Sequence, residues 1–141
     1  GEWYGRELKA SGLYNDVDAV IPLPLHPLKR LRRGYNQSEY IAEGIAAQLG
    51  VGVDRSSVCR CRNTASQALR PRRERAENVA GAFAVRHPER LAGKHILLVD
   101  DVMTTGSTLV ACIEAVLGAV PDCRVSVAAL AVSRRELGVK E

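Results

Sequence analysis

The chain has 141 residues, of which 46% are hydrophobic and only 4% aromatic, and its formal net charge is +4. That length fits one domain with a buried core, and the hydrophobic fraction excludes a disordered tail. With so few aromatic residues, the core should consist mainly of valine, leucine, isoleucine and alanine, which is typical of parallel strands covered by helices. We therefore expect one α/β domain spanning residues 1–141.

Composition also bears on the cellular compartment. The sequence has no apolar run of 18 or more residues, so no membrane-spanning helix is predicted. No basic segment leads into an apolar core at the start, so no signal peptide is predicted. The four cysteines (Cys59, Cys61, Cys112 and Cys123) lack paired zinc-site spacing, and a chain of this length does not need a disulfide framework. These features favour a cytoplasmic protein.

The first third of the chain predicts a strand followed by a rigid loop. Residues 18–22 form a short apolar run stopped by proline, which indicates a buried strand. Residues 22–27 include three prolines and are predicted to be a stiff loop, because proline lacks a backbone donor. This loop leads into a basic cluster made of Lys29, Arg30, Arg32 and Arg33.

The middle of the chain predicts one clear helix and two short strands. Asn36 or Ser38 is expected to cap a helix with an apolar stripe. Short strands are predicted near Val58 and at residues 82–85. Residues 62–78 are rich in arginine and lack apolar periodicity, so a long mobile loop or a weak polar helix is predicted there. Long loops of this kind are often functional.

The most informative segment begins at His95. Residues 96–99 are continuously apolar, as in a strand buried on both faces of a parallel sheet, and Asp100 and Asp101 are expected to end it. Residues 104–108 are small and predict a turn into a helix. A last strand is predicted at Arg124–Val132. The alternation of strands and helices predicts an α/β fold with a mainly parallel sheet.

This arrangement suits a ribose phosphate. In open α/β sheets, ligands bind beyond the carboxyl ends of the strands, where the two carboxylates are expected to accept hydrogen bonds from vicinal hydroxyls. The turn and the helix N-terminus attract a phosphate. Neither G-x-x-x-x-G-K nor G-x-G-x-x-G occurs there, which excludes a P-loop and a dinucleotide fingerprint. The alternative is a cap-rich turn beside two surface acids.

The run from His95 to Thr108 resembles the signature by which type I phosphoribosyltransferases bind 5-phosphoribosyl 1-pyrophosphate (PRPP). Further matches extend from about Tyr4 to Val132 and resemble the competence-related ComF (ComFC- or GntX-like) family. They are Ile21 to Pro27, Arg33 to Gln37, Thr64 with Gln67, Arg75 with Asn78, and Gly81 to Phe83. The resemblance implies a mainly parallel central sheet flanked by helices, with a mobile hood loop. Family members often carry an N-terminal zinc ribbon, which is absent from this sequence.

The resemblance also implies roles for individual residues. Asp100 and Asp101 would hold the ribose hydroxyls, and both are catalytic candidates together with Arg75, which would stabilise the leaving group. The 5-phosphate would bind to Thr104, Thr105, Gly106, Ser107 and Thr108. The pyrophosphate loop would comprise Leu23, Pro24, Leu25, His26, Lys29, Arg30 and Arg33. The hood loop would comprise Thr64, Gln67, Arg72, Arg75 and Asn78.

The implied reaction is transfer of phosphoribose to an unidentified nitrogenous acceptor with release of pyrophosphate, in natural competence and DNA uptake. Mg²⁺ would arrive with PRPP, with no direct protein metal site. A PRPP-binding adaptor without catalysis and a single-stranded-DNA-binding adaptor are the alternatives, with competence proteins or a second copy of the chain as further partners. For His26, a structural role in the loop is an equally good interpretation. For Asn36 and Gln37, the alternative role is capping of the following helix.

Overall fold

The computed structural model describes residues 1–61 and 81–133. In chain order, the elements of these segments are α1 (Glu2–Ser11), β1 (Ala19–Pro22), α2 (Pro27–Arg33), α3 (Gln37–Leu49), β2 (Gly52–Val53), β3 (Val58–Arg60), β4 (Phe83–Val85), a 3₁₀ turn (Pro88–Arg90), β5 (His95–Met103), α4 (Ser107–Ala119) and β6 (Arg124–Val132).

Four parallel strands form the central sheet in the order β2-β1-β5-β6. Strand β5 is flanked on both sides, which agrees with its continuous apolar sequence. Strands β3 and β4 form a separate antiparallel ribbon. The predicted parallel α/β architecture is therefore confirmed, as are the strands predicted around Val20, Val58, Phe83 and Leu98.

The core lies on both faces of the sheet. Along β5, Ile96 and Leu98 pack on one face with the β3–β4 ribbon and α4, while Leu97 and Val99 pack on the other with α1 and α3. Because successive side chains of a strand point to opposite faces, a strand buried on both faces needs apolar residues throughout. The result is a sheet covered on two sides, with its carboxyl edge left accessible.

Helix α1 packs closely on α3 through a glycine. A Cβ atom on Gly44 would lie 2.4 Å from the backbone nitrogen of Glu2, which no side chain can tolerate without moving the backbone. Gly44 therefore sets the distance between the two helices. Leu8 of α1 and Ile45 of α3 are buried in the same cluster as a consequence.

Three local predictions need correction. The segment after the prolines is helical from Pro27 onward, since proline is well suited to the first helical position. Strand β5 does not end at the acids but continues to Met103, because its pairing with β6 continues through Met103↔Val132. A two-residue strand, β2, pairs with β1 and was not predicted.

Across residues 1–61 and 81–133, no helix is both long enough and apolar enough to cross a membrane.

Candidate functional site

Two carboxylates lie at the carboxyl end of β5. Asp100 Oδ1 accepts hydrogen bonds from the Asp101 backbone nitrogen at 2.8 Å and from Ser38 Oγ at 3.4 Å, and Asp101 Oδ1 accepts from the Val102 nitrogen at 2.8 Å. Burial, followed by the hydrogen bond and charge of Asp101, raises the pKa of Asp100 to about 6. A carboxyl group whose pKa is raised in this way beside a cleft is a candidate functional residue.

The turn after the acids has the form expected of an anion cradle. Gly106 adopts a φ of 79°, a conformation that glycine takes without strain, and it is the N-cap of α4. Thr105 Oγ1 lies 2.8 Å from Ser107 Oγ and accepts a hydrogen bond from the Ser107 nitrogen at 3.2 Å. The turn thus presents hydroxyls and backbone N–H groups at the positive end of a 13-residue helix.

Two cavities meet at these residues. The smaller, about 30 Å³, lies over the turn and is lined by Asp100, Val102, Met103, Thr104, Gly106, Ser107, Thr108 and Leu109. The larger, about 170 Å³, is lined by Leu23, Pro24, Leu25, Arg33, Asn36, Gln37, Ser38, Arg60, Asp100, Asp101 and Thr108. Asp100 and Thr108 belong to both linings, so the two cavities adjoin where the turn, the acids and the loop after β1 come together.

Asn36 fixes the loop after β1 against α3. Its side-chain oxygen accepts from the Ser38 nitrogen at 3.2 Å, and its side-chain nitrogen donates to the Leu23 carbonyl at 3.1 Å. Asn36 is therefore the helix cap, as one of the two sequence interpretations had it, and it also positions the cleft wall. Gln37 is the first residue of α3 and lines the cleft.

Two arginines line the larger cavity, and Lys29 lies close enough to be affected by their charges. Arg60 of β3 lies over the Phe83 ring at 5.4 Å, and both Arg60 and Arg33 line the cavity with the acids. Desolvation lowers the pKa of Arg60, and Asp100 partly opposes this effect. Desolvation, then the charges of Arg60 and Arg33, lower the pKa of Lys29. The concentrated positive charge favours a ligand with several negative charges.

Sequence reasoning missed Arg60 and Ser38 as site residues. No motif marks Arg60, and its place in the cleft depends on the pairing of β3 with β4, in which it faces Phe83. One signal was present in the sequence. Cys59 and Cys61 stand two apart in a segment predicted to be a strand, so they share a face and Arg60 lies on the opposite one.

Two residues predicted for the pyrophosphate loop have local partners. His26 caps α2, where its Nδ1 accepts from the Leu28 nitrogen at 3.2 Å. Arg30 forms a two-point ion pair with Glu39, in which the Nη2–Oε2 distance is 3.1 Å. By contrast, Leu23, Pro24, Leu25 and Arg33 line the larger cavity directly.

The predicted hood residues Thr64, Gln67, Arg72, Arg75 and Asn78 lie outside the described residues. Within the described ranges, no group of three or more histidine, cysteine or acidic side chains could hold a metal ion. The cleft offers two carboxylates. Mg²⁺ commonly binds through one or two carboxylates together with phosphate oxygens and water, so this donor set fits a cation that arrives with its ligand.

Comparisons with known proteins agree with this geometry. The family model described as phosphoribosyl transferase domain matches residues 36–141. The DNA utilization protein YhgH of Salmonella typhi is 38% identical over 92 residues, which cover 65% of this chain and 40% of that protein. Competence protein F of Haemophilus influenzae is 33% identical over 105 residues, which cover 74% of this chain and 46% of that protein. The chain thus spans less than half the length of these relatives.

The fold likewise matches a solved structure. Adenine phosphoribosyltransferase from Saccharomyces cerevisiae, complexed with an imino-altritol bisphosphate and adenine, superposes with a TM-score of 0.60. The match covers 96% of this chain and 68% of that one at 15% sequence identity. At such low identity the similarity establishes the fold alone, which is the one that the His95–Thr108 resemblance implied.

Proposed function

Since the chain belongs to the phosphoribosyl transferase domain family and to its competence-related ComF branch, we propose that it binds PRPP in the cleft at the carboxyl end of β5. The observation that supports this most strongly is that the two cavities adjoin. They share Asp100 and Thr108, so one ligand of suitable length can contact both the acids and the turn.

Each part of the cleft suits one part of PRPP. Asp100 and Asp101 accept hydrogen bonds from the ribose hydroxyls, and the hydroxyls and N–H groups of residues 104–108 bind the 5-phosphate. Lys29, Arg33 and Arg60 neutralise the pyrophosphate, with the backbone of residues 23–25 forming the wall beside it. Arg30 and His26, predicted for the same loop, would act through the position of α2.

When bound, Mg²⁺ would neutralise pyrophosphate oxygens, with Asp100 and Asp101 as the protein groups available to orient its hydration shell. These carboxylates must be ionised to do so. Because the pKa of Asp100 is about 6, ligand binding should release the proton that this residue holds below that pH.

The reaction that we propose is displacement at C1 of the ribose. The bond between C1 and the pyrophosphate oxygen breaks, a nitrogenous acceptor forms the new bond, and pyrophosphate leaves with the electron pair. In the proposed pose Arg33 and Arg60 would lie beside that developing charge, so we assign electrostatic stabilisation and positioning to the described residues. Arg75 keeps its proposed part in leaving-group stabilisation as a sequence-based hypothesis.

Replacing both acids tests the proposal. The double variant Asp100→Asn, Asp101→Asn should weaken PRPP binding at least a hundredfold, about 2.7 kcal/mol, while keeping a native circular dichroism spectrum. Asp122→Asn, an exposed acid at the other end of the sheet, is the matched control and should bind normally. If the double variant binds within about twofold of wild type, the acids do not hold the ribose. Release of pyrophosphate on incubation with candidate acceptors then distinguishes a transferase from a binding adaptor.

The biological setting that we propose is the handling of incoming DNA in natural competence. It rests on the names of the relatives, a DNA utilization protein and a competence protein. Because the chain spans under half the length of each relative, we extend the activity and partners of those longer proteins to it as a hypothesis.

A second candidate function, single-stranded DNA binding, is favoured by the surface of α2. None of its residues is fully buried, it carries Lys29, Arg30, Arg32 and Arg33, and beside it Tyr35 and Tyr40 form an edge-to-face pair with centroids 6.1 Å apart. Tyr35 is 43% exposed and Tyr40 is 65% exposed. Basic residues next to exposed rings suit a phosphate backbone with stacked bases.

Fluorescence anisotropy with a labelled single-stranded oligonucleotide tests this candidate. Binding should weaken steeply with salt, and Arg32→Ala with Tyr40→Ala should reduce the affinity about tenfold or more. Arg124→Ala, an exposed arginine at the amino end of the sheet, is the control. Binding that is insensitive to salt and to both α2-side changes would exclude this surface.

A further inference from the structure

Two thiols bracket Arg60 on the outer side of the β3–β4 ribbon. Cys59 Sγ and Cys61 Sγ are 3.5 Å apart, and Cys61 is exposed. Because side chains alternate along a strand, the thiols point away from the face on which Arg60 packs over Phe83 and lines the cleft. The residue between the two sulfurs is therefore a wall of the proposed PRPP site.

The other two cysteines are unsuited to the same chemistry. Cys112 on α4 and Cys123 after it are buried in the core, and burial raises the pKa of Cys112 to about 12. A thiol with this pKa has almost no thiolate at neutral pH, and the thiolate is the reactive form. Oxidant in solution will therefore meet the Cys59–Cys61 pair first.

We propose that Cys59 and Cys61 are a reversible oxidation site, at which an intrachain disulfide displaces Arg60 and weakens binding of PRPP. The effect on PRPP rests on the proposed function, whereas formation of the disulfide does not. The two sulfurs, 3.5 Å apart, must approach by about 1.5 Å to reach the S–S bond length. Residues two apart in a strand have Cα atoms about 6.6 Å apart, near the upper limit for a disulfide, so closing the bond pulls on the backbone around Arg60. That movement breaks the alignment of Arg60 with Phe83 and Asp100.

The oxidant class is a hydroperoxide, and the step balances with hydrogen peroxide. The Cys61 thiolate attacks one peroxide oxygen, the O–O bond breaks, and a sulfenic acid and one water result. The Cys59 sulfur then attacks the Cys61 sulfur, the S–S bond forms, and a second water leaves. Two thiols thus lose two electrons and two protons to one peroxide, and a dithiol such as dithiothreitol reverses the change.

Desolvation, then the hydrogen bond and charge of Cys59, raise the pKa of the Cys61 thiol, while Arg86 opposes this. The thiolate fraction of Cys61 is therefore larger at mildly alkaline pH, and the peroxide treatment should be carried out at such a pH.

The experiment compares reduced, peroxide-treated and re-reduced protein. Intact mass should fall by two hydrogen atoms and the number of reactive thiols in the unfolded protein should fall from four to two. Calorimetry should give a PRPP dissociation constant about tenfold higher after oxidation, which dithiothreitol restores. Cys61→Ser should bind PRPP as the reduced wild type does and keep that affinity after peroxide.

The nuclear magnetic resonance signal of the Arg60 Nε–Hε group gives a readout that does not depend on PRPP. It should shift on oxidation of the wild type and stay constant in Cys61→Ser. Four thiols after peroxide treatment, or a disulfide that leaves this signal unmoved, overturns the proposal. If reduced protein does not bind PRPP, the proposed function fails, and the Arg60 signal still decides whether the disulfide moves this residue.

Discussion

The two ends of strand β5 both carry clusters of polar side chains, but the clusters differ in how their charges are satisfied. At the amino end, the buried His95 ring lies between Asp16 Oδ1 at 3.0 Å and Ser126 Oγ at 2.8 Å. Arg124 donates to Asp16 at 2.7 Å. At the carboxyl end, Asp100 and Asp101 are adjacent in the chain, and both line the larger cavity, which is open to a ligand.

The pKa values of the acids separate the two ends. At the amino end, the hydrogen bond from Arg124 lowers the pKa of Asp16, so its charge is favoured in the folded protein. At the carboxyl end, burial raises the pKa of Asp100 to about 6, so its charge is disfavoured until a ligand or cation arrives. A polar cluster whose charges are paired within the protein stabilises the fold. A carboxylate whose charge is disfavoured beside a cavity indicates a binding site.

Among single substitutions, the largest effect is expected at Arg60. Arg60→Met keeps the apolar contact with Phe83 but removes the charge from the cleft, so PRPP affinity should fall about tenfold to a hundredfold. Calorimetry at fixed Mg²⁺ measures the change, and Arg86→Met on the exposed side of the same ribbon is the control. Equal affinities for the two variants would remove Arg60 from the site.

At the opposite end, His95→Ala should act on stability and leave the ligand untouched. The substitution leaves Ser126 Oγ without its partner on the His95 ring and removes the contact to Asp16. The free energy of unfolding should therefore fall by about 2 kcal/mol. Urea denaturation measures the loss, and PRPP affinity of the folded variant should stay within about twofold. A large loss of affinity would contradict the division between the two ends.

A smaller effect with the opposite sign is expected for Asp100→Asn in the absence of ligand. Since the folded-state pKa of Asp100 is above its unfolded value, the cost of its charge is full above about pH 6 and is lost as pH falls towards 4. The variant should therefore be more stable than wild type by about 1 to 2 kcal/mol at pH 8 and equal to it near pH 4. Thermal unfolding at the two pH values checks this, and a pH-independent difference would argue against the raised pKa.

Features of the fold and the site that depend on neighbours in the chain were predictable from the sequence, whereas those that depend on tertiary packing were not. The apolar run of β5, the turn at residues 104–108 and the Asn36 cap depend on neighbours in the chain, and all three were identified. Arg60 and Ser38 reach Asp100 only through packing of the β3–β4 ribbon and α3 against the sheet, so spacing could not locate them. The length of β5 depended on pairing with β6, which one strand alone does not specify.

Titration of PRPP into the reduced wild-type chain, with and without Mg²⁺, tests whether the carboxyl end of β5 binds PRPP. We expect saturable binding with one site per chain that is markedly tighter with Mg²⁺, because the two carboxylates and the ligand then share a cation. No heat of binding and no protection against thermal unfolding under either condition would contradict it.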